Sequence, residues 1–223
     1  MYRWRFPFYA LFLVALCAGC GKDSDLEPIA IDDEPSYSSF GVWLEGENAD
    51  LSGSLWVEVD GEESLIAENA LSWWTSRNGE TIYYSYRHGR SGYEAEGEGL
   101  MRYNVSTKVS DLVFDDDVMI LNVVEEISAS GRTVLIVEMT DGGLGAPTVA
   151  IADPDRGRVF RENIGSVAHR GDGKVAIATY TAHAIADSEG ALPEPESTTV
   201  YDLDELLERP ADREILYPWP PED

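Results

Sequence analysis

Three copies of one short phrase constrain this chain more than any other feature: Ser76-Arg77-Asn78-Gly79, Ser128-Ala129-Ser130-Gly131 and Arg170-Gly171-Asp172-Gly173. Each is followed by one polar residue (Glu80, Arg132, Lys174) and then an apolar run: Thr81-Ile82-Tyr83-Tyr84, Thr133-Val134-Leu135-Ile136-Val137 and Val175-Ala176-Ile177-Ala178. Asn-Gly, Ser-Gly and Asp-Gly between apolar stretches predict two-residue hairpins, because Asn, Asp and Gly tolerate the positive φ such turns need. A hairpin that recurs after 52 residues (Gly79 to Gly131) and again after 42 (Gly131 to Gly173) predicts a repeated supersecondary unit.

The chain between the turns keeps one order. The first full unit reads as strands at Leu71–Trp74, Ile82–Tyr86, Leu100–Val105 and Val109–Phe114. The second has Ile120–Ile127, Val134–Val137, Thr148–Ala152 and Arg158–Phe160, and the third Ser166–His169, Val175–Tyr180, Thr199–Leu203 and Glu214–Tyr217. Upstream, Phe40–Leu44, Leu55–Val59 and Ser64–Ala67 supply three strands of a further unit, about fifteen in all. Four-stranded meanders at this period predict an all-β fold, a small or incomplete β-propeller of about four four-stranded blades. A β-sandwich or plain meander is the competing architecture, since evenly spaced short strands fit it too. Runs such as Val175-Ala176-Ile177-Ala178 suit strands buried on both faces. Helix is expected only as one turn at Asp202–Leu207, where a capping Asp precedes Leu at helical spacing.

The turn phrase, with Asn104-Val105 or Tyr201-Asp202-Leu203 on the third strand, resembles the WD40-like repeat with a Ser-Pro-Asp-Gly turn found in TolB-type and peptidase propellers. The likeness covers Leu71 to Tyr217 and speaks for a fold far more than a function. No unit has the Pro of that pattern, the third has Arg170 in place of Ser, and the units fall short of the six blades usual there. The resemblance therefore implies either a four-bladed ring or an incomplete propeller that needs a partner.

Residues 1–19 carry Arg3 and Arg5, then the apolar run Phe8–Leu16, too short to span a bilayer, then small residues. This is a secretory leader. Its end, Cys17-Ala18-Gly19-Cys20, resembles the lipobox of bacterial lipoproteins, although Cys17 stands where Leu is usual. That implies lipidation at Cys20 and a place in the bacterial cell envelope. Gly21 in place of a retention Asp implies the outer membrane. Ordinary secretory cleavage is the alternative. Residues 20–38, rich in Asp, Glu, Ser and Pro, read as an acidic disordered tether; residues 39–219 form the folded domain and 220–223 a tail. Both cysteines lie in the leader region, so the domain has no internal disulfide.

Losing Arg3 and Arg5 leaves 14 basic residues against 42 acidic ones, taking the net charge from −26 to −28. Nucleic acid and anionic lipid surfaces are poor partners for such a body, and membrane contact is expected through the lipid alone. A solvated acidic coat explains most of this charge; a surface for cations or a basic protein is the sharper alternative.

In a meander the connections alternate between two ends, so the Ser-x-x-Gly turns lie at one end and the long loops at the other. Long loops on a rigid scaffold are where binding groups concentrate. The candidate binding face therefore comprises Arg87, His88, Arg90 and Tyr93 from one loop, Asp115, Asp116 and Asp117 from the next connection, Asp141, and His183. The three aspartates are a weak Ca²⁺ candidate, because three consecutive carboxylates cannot all turn to one ion without further ligands. His169 belongs toward the opposite end, which argues against a three-His metal site. No Gly-x-Ser-x-Gly elbow, phosphate loop, His-Glu-x-x-His helix or dinucleotide fingerprint occurs, and no cofactor is expected. The sequence thus favours a non-catalytic binding or scaffolding module for an envelope protein or complex. A propeller enzyme acting on a polysaccharide or other envelope substrate through acidic residues of the long-loop face is the alternative, and convergent buried carboxylates there would favour it.

Overall fold

The computed structural model describes residues 39–46, 52–87, 98–116, 118–141, 146–186 and 192–212. In chain order they form β1 (Phe40–Glu45), β2 (Gly53–Val59), β3 (Glu62–Thr75), β4 (Thr81–Arg87), β5 (Glu98–Asn104), β6 (Val109–Asp116), β7 (Met119–Ile127), β8 (Thr133–Asp141), β9 (Ala146–Asp153), β10 (Gly157–Glu162), β11 (Gly165–Gly171), β12 (Lys174–Thr179), α1 (Ala182–Ala186), β13 (Ser197–Asp202) and α2 (Leu203–Leu207). The fold is all-β, as the periodicity predicts. Every strand pair is antiparallel, in sheets ordered β1-β2-β3-β4-β5-β6, β10-β9-β8-β7 and β11-β12-β13.

The repeated phrase closes its turns in two ways. In the first two copies the serine does the work: Ser76 Oγ accepts the Thr81 N–H at 3.0 Å and its carbonyl the Gly79 N–H at 3.1 Å. Ser128 repeats this, with Arg132 N–H on Oγ at 3.1 Å and Gly131 N–H on the carbonyl at 2.9 Å. These connections are therefore five-residue loops, Ser76–Glu80 and Ser128–Arg132, rather than the two-residue hairpins expected, and Gly79 and Gly131 supply the left-handed position with φ of 71° and 83°. Only the third copy is a two-residue hairpin. Asp172 and Gly173 both have positive φ, 53° and 69°, between the paired Gly171 and Lys174, as a type I′ turn requires. A loop of two residues has no span for a serine hydroxyl to bridge, so Arg170 in its place costs nothing.

Three apolar interfaces separate four layers. Leu55, Val57 and Ala67 pack against Ile82, Tyr84, Met101 and Tyr103. The opposite face of β4–β6, with Tyr83, Leu100 and Phe114, meets Ile120, Leu135 and Val137. Beyond them Val134, Ile136, Val149 and Ile151 meet Val175, Ile177, Leu203 and Leu206. On β8 alternate residues thus serve alternate interfaces, which is why its apolar run is continuous. Each fully buried side chain of this size contributes about 1.5–3 kcal/mol. Meanders stacked face to face in sequence order are the blades of a small or incomplete propeller, and among the described residues they comprise β1–β3, β3–β6, β7–β10 and β11–β13.

The first two layers share a strand. β3 pairs with β2 through Glu62–Ala70 and with β4 through Ala70–Thr75, where the sequence reads as two strands. Polar Glu68 and Asn69 suggest a connection; instead Asn69 turns through φ 62° and register shifts flank Ala70, so the sheet folds over itself without a break. The last layer has three strands among the described residues, and the expected fourth, Glu214–Tyr217, lies outside them. Asp202 caps α2 as expected, its carboxylate accepting the N–H groups of Asp204 and Glu205. α1 falls in what the sequence reads as plain loop.

Candidate functional site

Of the expected face, the described residues include Arg87, Asp115, Asp116, Asp141 and His183. His88, Arg90, Tyr93 and Asp117 lie outside the described residues, as do Cys20, the leader and the tether. Arg87 ends β4 opposite Glu98, Asp141 ends β8 opposite Ala146, and His183 is exposed on α1. Asp115 and Asp116 are part of β6 and buried, at 0% and 1% exposure, not placed in a connection.

These two carboxylates hold structure together at the long-loop end. Asp116 accepts hydrogen bonds from two arginines of the next layer, Arg158 at 2.5 Å and Arg161 at 2.9 Å, and Arg158 also reaches Asp212 at 2.9 Å. The outer strands β6 and β10 are clamped by charge. Asp115 accepts the Tyr86 hydroxyl at 2.9 Å, a contact that passes directly over Gly99, where any Cβ would overlap both groups. Burial first, then the charge and hydrogen bond of Asp115, push the Tyr86 phenol far above its usual range, so it stays a donor. Buried Glu98 accepts the Ile120 N–H at 2.9 Å and fixes the start of β7. Among the described residues no three His, Cys, Asp or Glu side chains gather as a metal site.

The larger of two described cavities lies at the opposite end. A cavity of about 550 Å³ opens between the second and third layers, walled by Asn78, Tyr83, Arg102, Glu125, Arg132 and the Asp153–Arg156 turn. Three arginines and three carboxylates face it, so its formal charges cancel on a body of net charge −26. Each charged group is anchored. Arg102 is held by both carboxylate oxygens of Asp111 (3.1 and 2.6 Å) and by Asp155 (2.6 Å); the Asp111 bonds above all raise its already high pKa. Arg132 bridges Asp153 at 3.2 Å and Glu208 at 3.0 Å, and Arg156 donates to the carbonyls of Leu207 and Arg209. Glu125 accepts the Tyr83 hydroxyl at 3.2 Å and the Arg77 N–H at 3.1 Å. Burial, then Glu125, raises the Tyr83 phenol well above the usual range.

Sequence reasoning missed this pocket because it weighed loop length. One signal was present: in a chain with few basic residues, Arg132 and Arg156 each sit in or beside a turn of the same end. A smaller cavity of about 320 Å³ lies between β7–β8 and β11, beside His169 and Arg170, where β11 bulges between Val167 and His169.

No family model matches the chain, and no curated protein does. Among solved structures it is similar to the β-propeller domain of the Trilobed protease from Pyrococcus furiosus, described as having an open velcro topology. The identity is 15% and the TM-score 0.42, over 63% of this chain and 44% of that one.

Proposed function

We propose that the chain is a bacterial envelope lipoprotein, tethered through Cys20 at the outer membrane, whose propeller body binds an envelope protein without catalysing a reaction. One observation carries the binding reading: every charged side chain lining the turn-end pocket is held by partners within the fold, which makes a preorganised polar recognition surface. Tyr83, kept protonated, acts there as a donor.

The experiment is site-specific photocrosslinking in intact cells, with the crosslinker at Thr81 in the pocket or at exposed Leu65 outside it. A single adduct from position 81, lost in Arg102→Ala and absent from position 65, is expected; equal adducts from both positions overturn the pocket. Labelling with palmitate that persists in Cys20→Ser overturns the anchor.

The enzymatic reading has one observation in its favour, the burial of Glu98, Asp115 and Asp116 at the long-loop end. Each of these carboxylates is committed to a structural bond, and that ranks catalysis second. Release of soluble fragments from envelope polysaccharide by the purified protein, abolished by Asp115→Asn in a folded variant, would reverse the order.

A further inference from the structure

The fourth layer presents a strand edge built to be paired. In β13 the register runs one-to-one against β12, from Lys174 opposite Asp202 to Thr179 opposite Ser197. The Leu203 N–H donates to the Gly173 carbonyl at 2.9 Å, which sets the alternation: Ser197, Thr199 and Tyr201 turn their backbone groups to β12, while Thr198 and Val200 turn theirs away from it. No described strand lies on that side. Neither face of the edge is shielded at its centre, since Ser197 through Val200 are all exposed and Val200 is 63% accessible.

Natural edges are usually blunted by Lys, Pro, a bulge or extreme shortness. The stretch Ser197-Thr198-Thr199-Val200-Tyr201 has no charge, no Pro and no Gly, its pairing with β12 has no register shift, and its β-branched residues favour extended backbone. The flanks differ: Glu194 and Glu196 precede it, and Asp202, Asp204 and Glu205 follow. We propose that this edge captures, by strand addition, an extended segment of another protein whose uncharged, β-branched centre is flanked by Lys or Arg at both ends. Such recognition takes affinity from main-chain hydrogen bonds and specificity from alternate side chains.

Charge selects this occupant over a second copy. Antiparallel self-pairing about Val200 would set Thr198 against Asp202, turn the Glu194–Glu196 flank of one copy toward the acidic C-terminal flank of the other, and bring two bodies of net charge −26 together. A basic-ended strand meets both acidic flanks favourably. The edge is separate from the turn-end pocket, and the two assays read them independently.

The test uses the full chain and a fluorescent eight-residue peptide with a Thr-Val-Thr-Val centre and two lysines at each end. Anisotropy should report saturable binding, at least tenfold tighter than for a peptide with glutamates at the ends, and the advantage should shrink at 0.5 M salt. N-methylation of one alternate set of central amides should weaken binding at least tenfold, and of the other set hardly at all. Val200→Pro should abolish capture while leaving β12 pairing intact, because the Val200 N–H points away from β12. If that variant fails to fold, the N-methylated pair decides with the unaltered protein. Equal binding of both N-methylated peptides, or of lysine- and glutamate-ended peptides, overturns the proposal. Two further results also overturn it: a dimer that Val200→Pro dissociates, or Thr198 and Val200 amides whose protection in the free monomer vanishes on truncation after Asp212.

Discussion

Replacing Asp116 with Ala is expected to remove about 3 kcal/mol of stability. The carboxylate is fully buried and receives Arg158 at 2.5 Å and Arg161 at 2.9 Å, whose side chains are 10% and 27% exposed. Hydrogen bonds to charged groups are worth about 1.5–3 kcal/mol each, and removing one partner of a buried pair costs about 3–5 kcal/mol. The lower end applies here because Arg158 keeps Asp212 and Arg161 can turn toward water. Asp116→Asn, which keeps one acceptor oxygen, should lose about 2 kcal/mol on the same scale. At about 2–4 °C per kcal/mol for a domain of this size, the Ala variant should melt about 6–12 °C lower. Urea unfolding followed by tryptophan fluorescence measures the loss. A double-mutant cycle with Arg158→Met isolates the pair, with a coupling above about 1 kcal/mol expected. A loss below about 1 kcal/mol, or an additive cycle, would refute the reasoning and leave Asp116 available to a ligand.

Gly99→Ala should lower stability by about 3 kcal/mol, because overpacking costs about 1–3 kcal/mol and the new Cβ also displaces Tyr86 from Asp115; thermal melting checks it. Ser128→Ala should cost about 1 kcal/mol through the lost acceptor for the Arg132 N–H, whereas Arg170→Ala should leave its own hairpin intact, as urea midpoints would show. Tyr83 and Tyr86 keep their protons in the folded state above their ordinary value of 10.0, so the unfolded chain releases protons first and stability should fall as pH rises past 10. Circular dichroism with phenolate absorbance should then show ionisation coincident with unfolding; separate transitions would contradict it. Asp204, held down by Ser128 first and then Ser130, stabilises the fold above its ordinary value of 3.8, and that contribution disappears as pH falls below it. Ser130→Ala should flatten the acid limb of the stability profile.

Strand order was legible because each turn phrase is local: a glycine, its polar neighbour and an apolar run fall within ten residues. The continuity of β3 was not. Glu68-Asn69 reads as a break in any one-dimensional pattern, and only pairing with β2 and β4 on either side shows that one strand continues through the bend. The acidic run at Asp115 reads as a solvated loop for a related reason. Its neutralising arginines, Arg158 and Arg161, come more than forty residues later, and charge burial depends on that distant meeting. The pocket at the turn end escaped for the same cause, since Arg102 and Asp155 meet only across two layers.

The shared strand β3 has a mechanical meaning. The second layer passes to the third, and the third to the fourth, through a change of sheet, but the first passes to the second along an unbroken ladder. Detaching the first layer requires tearing β2 from β3 along a continuous run of ladder bonds, whereas the fourth is held to the third by packed side chains, the Arg132–Glu208 and Arg158–Asp212 ion pairs and the short backbone bridge between Arg158 and Asp212. Under force or denaturant the protein should therefore open from its C-terminal side, the first two layers holding while the fourth yields.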